Sequence, residues 1–163
     1  NLAVVDAAGA PSVGVTYDPT RDECFSALRG RGATLNGQPI QVSRVDSLLG
    51  ALLMTGFPYD AHTSRDNNTA AWNAFTRRAQ SLRRGGAAAL DIAYVACDGY
   101  WEQQVQPWDI LAGILMVREA GGQATNYAGE VTGLYDGGRV VVSNGLIHQE
   151  MVEVLTAVEA MMG

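Results

Sequence analysis

Residues 107–122, PWDILAGILMVREAGG, constrain this chain more than any other stretch. Ile110, Leu111, Ala112, Ile114, Leu115, Met116 and Val117 leave no wide polar face before Arg118, and Gly121-Gly122 supplies a stop. A helix that is apolar nearly all round has to be packed nearly all round. Asp109 stands at its head, where two readings are open. First-turn acids commonly cap helices, because free N–H groups and the positive end of the helix dipole lie there. A carboxylate in apolar surroundings also needs a positive partner, and with no nearby lysine a metal ion would provide it.

The remaining sequence has to fold around that helix. Its 163 residues suit one compact domain with a substantial core, and the 47% hydrophobic and 17% charged content argues against disorder. Runs such as AAALDIAYVA and ILAGILMV are shorter than the roughly 20 residues of a membrane span, so no membrane partner is expected. The first residues lack the basic leader and cleavage pattern of a signal peptide. They begin without methionine and enter a strand pattern at once, as a mature or truncated piece would.

Cys24 and Cys97 show no metal or redox spacing and read as reduced thiols of a cytoplasmic protein. His62 and His148 make no zinc motif. The net charge of −6 argues against non-specific nucleic-acid binding, and an anionic ligand would require an intervening cation.

The chain divides by texture. Residues 1–46 read as an antiparallel meander: LAVVD and SVGVTYD flank AAGAP, ECFSALRG follows DPTRD, and ATLNGQPIQV carries Asn-Gly, the strongest short hairpin signal. Residues 47–163 read as α/β. ALLMTGF is a strand, and RDNNTAAWNAFTRRAQ a helix with Asn or Asp as its cap. SLRR is a strand, AAALDIAYVAC a helix, GYWEQQV a strand, RVVVSNG a buried strand, and HQEMVEVLTAVEAMM a terminal amphipathic helix.

Glu102, seven residues before Asp109, could share a rim with it if a strand ends and a helix begins between them, since Pro107 breaks a continuous helix. Loops at the carboxyl ends of strands are where open α/β sheets bind ligands. Taken alone, Glu102 reads as a solvated strand residue. RRGGAAALD sets two glycines between strand and helix, where backbone N–H groups can approach an anion or a hydroxyl, although a plain tight turn fits equally well. Asp91 reads as a structural hydrogen-bonding residue and Trp101 and Trp108 as core. Spacing assembles no Ser/His/Asp constellation.

Taken together, these segments resemble the inositol monophosphatase family of Mg²⁺-dependent, lithium-sensitive phosphatases. PWDILAGILMVREAGG resembles the family's Trp-Asp run ending in Glu-Ala-Gly-Gly, and GVTYDPTRDECFSALRGRGATLNGQPIQVS, TGFPYD, RRGGAAALD, DGYWE and VVVSNG follow in family order. The resemblance implies the layered αβαβα sandwich of the inositol monophosphatase/fructose-1,6-bisphosphatase type, a homodimer, and bound Mg²⁺ that activates water against a phosphate ester. It makes Asp109 a catalytic metal ligand, buried because it faces a cation. It makes Glu102 the acceptor of a substrate hydroxyl, with Gly86, Ala87 and Ala88 lining the inositol or sugar side.

Ala87 stands where relatives carry Ser or Thr, and Leu111 replaces a small residue. The turn between Cys97 and Asp98 is shorter than in relatives. The family's Glu-Glu segment and Asp-Pro-Leu-Asp-Gly-Thr loop are expected before Asn1. One aspartate cannot hold a Mg²⁺ pair against water, so these 163 residues alone are expected to be inactive. Inositol monophosphate is the implied substrate. Histidinol phosphate, fructose bisphosphate or a 3′-phosphonucleotide, and a non-catalytic binding or assembly role, are the alternatives.

Overall fold

The computed structural model describes residues 1–94 and 98–162. Two five-stranded sheets organise it. The first runs in chain order through β1 (Leu2–Val5), β2 (Pro11–Asp18), β3 (Glu23–Leu28), β4 (Ala33–Leu35) and β5 (Gln38–Ile40), each antiparallel to the next. Asn36 and Gly37 both take positive φ, 49° and 77°, between β4 and β5. That is the two-residue hairpin geometry an Asn-Gly pair favours.

The second sheet is built from β6 (Leu52–Thr55), β7 (Ser81–Arg83), β8 (Gly99–Val105), β9 (Gln123–Thr125) and β10 (Gly138–Ser143), in the order β7-β6-β8-β10-β9. It is mixed: β6 is parallel to β7 and β8, and β10 is antiparallel to β8 and β9. Four helices complete the fold: α1 (Thr69–Thr76), α2 (Ala88–Ala93), α3 (Pro107–Glu119) and α4 (His148–Met162).

Alternation along the strands decides which helices meet which face. Gly14 and Thr16 of β2 and Phe25 and Ala27 of β3 are buried toward α2 and α3, whereas Tyr17 and Leu28 point away. On β10, Val140 and Val142 join Ile92 of α2 and Ile110 and Ile114 of α3 in one core. Val141 joins Phe75 of α1 and Met151 and Leu155 of α4 in another. The order is therefore sheet, helices, sheet, helices: four consecutive layers of the αβαβα sandwich. Helix α3 lies in the middle of the first three, which is why it has no polar face.

Backbone proximity seats α3. A Cβ on Gly14 would lie 2.9 Å from the Ala112 carbonyl oxygen, so glycine lets β2 touch the helix backbone directly. At its far end, Gly121 takes φ 94°, its N–H donates to Arg118 O (3.1 Å), and the Gly122 N–H donates to Val117 O (2.8 Å). Those two bonds form a Schellman stop, as the double glycine predicts.

Four expectations change. The helix expected over AAALDIAYVAC is α2, which ends at Ala93 with Tyr94 outside it; the last three residues of that expectation and the shortened turn before Asp98 fall on residues 95–97, outside the described residues. Trp108 is 71% exposed while Trp101 is fully buried, because Trp108 sits on the first turn of α3 where the layers end. Strand β9 was not expected; at three residues it offers no alternation to read. Finally, the cap of α1, left open between Asn and Asp, is not Asn68. Its side chain turns inward to Thr55, Gly56 and Trp101, and the Asn67 carboxamide oxygen accepts the Thr69 N–H at 3.1 Å instead. No helix among the described residues is long and apolar enough to cross a membrane.

Candidate active site

Three parallel strands end at one edge of the second sheet, and there a cavity of about 360 Å³ opens. Gly56 follows β6 into it, Arg84 follows β7, and the last residues of β8 line it together with the head of α3. This is the edge at which open α/β sheets bind ligands. Gly86, Ala87, Ala88, Glu102 and Asp109 all line it, so the strand end and helix start on either side of Pro107 bring the two acids to one rim.

Glu102 is held from two sides. Its carboxylate accepts a hydrogen bond from the buried Tyr100 hydroxyl, and it lies against Gly56, where a Cβ would collide with it. Burial raises its pKa above the usual carboxylate range; Asp91 and Asp109 push the same way, while the Tyr100 bond and Arg84 oppose. Burial also holds the Tyr100 hydroxyl far above its ordinary pKa, with the Glu102 charge adding to it, so Tyr100 remains a donor.

The glycine turn is braced from beneath. Asp91 is buried, and its carboxylate accepts the backbone N–H groups of Gly86 and Gly85, which partly offset the upward shift that burial imposes. Gly85 has no room for a Cβ because the Asp91 carboxylate occupies that space, and Gly86 takes φ 99°. Asp91 is thus the structural hydrogen-bonding residue its sequence position suggests. Ala87 offers a methyl where a hydroxyl would reach the cavity, leaving that wall to backbone groups.

Asp109 is half-buried, which corrects the expectation of a buried acid. It is the third residue of α3, and its Oδ2 accepts the Gln106 N–H at 3.2 Å. It is therefore a cap, and its Oδ1 has no hydrogen bond among the described residues. The two readings of Asp109 are compatible, since one oxygen caps and the other is free.

Aspartate and glutamate oxygens are the right ligands for Mg²⁺, which takes hard oxygen donors in near-octahedral geometry. Among the described residues, however, no group of three His, Cys, Asp or Glu is arranged to hold a metal ion. Asp109 and Glu102 offer oxygens of that kind, and the described side chains alone do not complete a Mg²⁺ site.

Two lining residues went unread in the sequence. Arg84 is the one basic side chain lining the cavity among the described residues, and the second Arg before the double glycine was its only signal. Gly56 leaves a weaker trace, a glycine after an apolar strand, because its purpose is set by a side chain 46 positions away.

Fold and cavity together define a layered α/β protein with an acid-lined polar site at the carboxyl ends of parallel strands. The chain belongs to the inositol monophosphatase family, whose model matches residues 1–160. It is 48% identical over 150 residues to an inositol-1-monophosphatase of Synechocystis, covering 90% of this chain and 52% of that protein. It is 43% identical over 124 residues to the Nus factor SuhB of Escherichia coli, covering 74% of this chain and 46% of that protein. The solved inositol monophosphatase of Anabaena superposes with a TM-score of 0.86 at 44% identity, over 91% of this chain and 60% of that one. The chain spans about half the length of the curated relatives it matches.

Proposed function

We propose that the intact protein is a Mg²⁺-dependent phosphomonoesterase that releases phosphate from an inositol monophosphate. The observation that carries this reading is the convergence of Asp109, Glu102 and the Gly86–Ala88 turn on one cavity. Bound Mg²⁺ would supply charge neutralisation of the phosphate and an activated water. Asp109 would offer it one carboxylate, with the other ligands coming from the part of the relatives' length that this chain does not span. Glu102 would accept a hydroxyl of the alcohol, and Gly86, Ala87 and Ala88 would present backbone to the ring. Arg84 would temper the negative charge of the cavity wall.

In this reading the meander of residues 1–46 continues a sheet of the preceding half, residues 47–163 form the C-terminal α/β domain, and the protein works as a cytoplasmic homodimer. A second reading, a non-catalytic assembly role, is favoured by relatives that carry the name Nus factor SuhB.

The test is phosphate release by the intact protein as Mg²⁺ is titrated, comparing inositol monophosphate with histidinol phosphate, fructose bisphosphate and a 3′-phosphonucleotide. Asp109→Asn should abolish Mg²⁺-dependent turnover. Turnover retained at saturating Mg²⁺ would remove Asp109 from the metal site, and a protein that releases no phosphate from any ester would favour the assembly role.

A further inference from the structure

The strand that carries Glu102 is irregular just beyond it. Val140 of β10 pairs with Glu102 and Gly138 with Val105, so Gln103 and Gln104 together oppose the single residue Arg139. Gln104 takes φ 60°, a left-handed conformation that a glutamine rarely adopts within a strand. This is a β-bulge, a device that re-aims side chains beside functional sites.

The bulge changes which face the strand presents. Before it, Tyr100 and Glu102 share a face, while Trp101 and Gln103 occupy the other. After it, Val105 returns to the core that holds Tyr100, where strict alternation would have put it with Trp101. Pro107 and α3 follow directly, so the bulge also sets where α3 begins relative to Glu102.

One residue, Asp66, touches all three residues of the bulge, Gln103 and Arg139 through its carboxylate and Gln104 through its main-chain carbonyl. The Gln103 amide donates to Asp66 Oδ1 at 2.7 Å, and the Gln104 amide donates to the Asp66 carbonyl at 3.3 Å. Arg139 Nη2 donates to both Asp66 carboxylate oxygens at 3.1 Å. Gln103 is 5% exposed, so its amide depends on that acceptor. Asp66 itself lies in the connection from β6 to α1, whose first residues, Gly56 to Tyr59, line the cavity.

We infer that Asp66 is a positioning residue: by clamping Gln103 to Arg139 through its carboxylate, with its carbonyl accepting from Gln104, it holds the β8 bulge that aims Glu102 and brings the head of α3 to the same cavity. The consequence for substrate rests on the proposed phosphatase reading; the consequence for the bulge does not.

The experiment has two arms on the intact protein, with Asp66→Ala, Asp66→Asn and, as control, Glu159→Gln, which removes the other ion-pair partner of Arg139 and leaves Gln103 and Gln104 untouched. Amide hydrogen exchange should accelerate about tenfold or more across 103–106 in Asp66→Ala while α4 stays unchanged. The ratio of kcat/KM for inositol monophosphate to kcat/KM for p-nitrophenyl phosphate, which offers Glu102 no hydroxyl, should fall about tenfold, mainly through KM. General destabilisation lowers both substrates alike and leaves that ratio fixed. Asp66→Asn keeps an acceptor for Gln103 and should recover most of the ratio; Glu159→Gln should change neither readout. Exchange that rises uniformly, or not at all in 103–106, overturns the clamp, and an unchanged ratio beside accelerated exchange overturns its part in aiming Glu102. A wild-type protein that hydrolyses neither ester refutes the phosphatase reading alone, and the exchange arm still decides the clamp.

Discussion

Acidification should destabilise this fold through His148, and the size of the effect can be worked from its contacts. The ring is 3% exposed, with Nε2 2.9 Å from Thr125 Oγ1 and Nδ1 3.0 Å from Ser143 Oγ. The Thr125 hydroxyl donates to Asn126 O at 2.8 Å, so it accepts from Nε2–H; Ser143 Oγ accepts the Gly145 N–H and donates its own proton to Nδ1. The ring is therefore satisfied as neutral imidazole, and protonating Nδ1 would turn an acceptor into a donor facing a hydroxyl that already donates to it. Burial lowers the pKa from 6.5 to about 4.

The sign follows directly. Below the unfolded value of 6.5 the unfolded chain takes up a proton that the folded protein refuses, so stability is full above that pH and declines as pH falls, levelling below about 4. Between about pH 7.5 and about pH 5 the loss comes to roughly 2 kcal/mol, and its limiting value is roughly 3 kcal/mol. Asp91 and Glu102, whose pKa values are raised, act in the opposite direction. Urea unfolding of the wild type and His148→Gln at both pH values isolates the histidine, because the carboxylates cancel on subtraction. The wild type should lose roughly 2 kcal/mol more than the variant. A difference below about 0.5 kcal/mol would refute the reasoning, since a buried neutral ring cannot titrate in the fold without that penalty.

Gly14→Ala should destabilise the protein by roughly 1–3 kcal/mol in urea unfolding, because the new Cβ meets the backbone of Ala112 and neither element can yield separately. Tyr127→Phe should raise stability by about 1 kcal/mol, since the Tyr127 hydroxyl is buried with no hydrogen-bond partner among the described residues; a loss of stability would reveal a partner. Glu102→Gln should shift preference among sugar and inositol phosphates more than it lowers turnover, and unchanged kinetics across the set would count against a substrate contact.

What could be read from the sequence were features whose cause is local. Asn36-Gly37 and Gly121-Gly122 announce positive φ within two residues, and both form as expected. The apolar run of α3 announces burial because the lack of a polar face is a property of the run itself. The bulge at Gln103-Gln104 could not be read, because its acceptor, Asp66, lies 37 residues from Gln103 in sequence. That an Asn or Asp opens α1 was legible, but which one was not: tertiary bonds to Thr55, Gly56 and Trp101 draw the Asn68 side chain inward and leave Asn67 to accept the Thr69 N–H. Trp108 misled for the opposite reason: aromatic residues are usually packed, and nothing local says that a helix's first turn emerges from between two layers.

That emergence explains why chemistry would sit where it does. A helix enclosed between two sheets, with α2 beside it in the same layer, can carry polar groups only at its ends. One end of α3 is consumed by the Schellman stop at Gly121-Gly122; the other opens where three parallel strands terminate. Asp109 is therefore placed by the burial of Ile110, Ile114 and Met116 and by the contact at Gly14, none of which touches the cavity. Position and reactivity separate on that account. Asp109→Asn should leave the fold intact while removing the charge, whereas Gly14→Ala should keep the charge and shift the helix that presents it. If both variants lost activity with no change in unfolding, α3 would not be the rigid carrier that its packing implies.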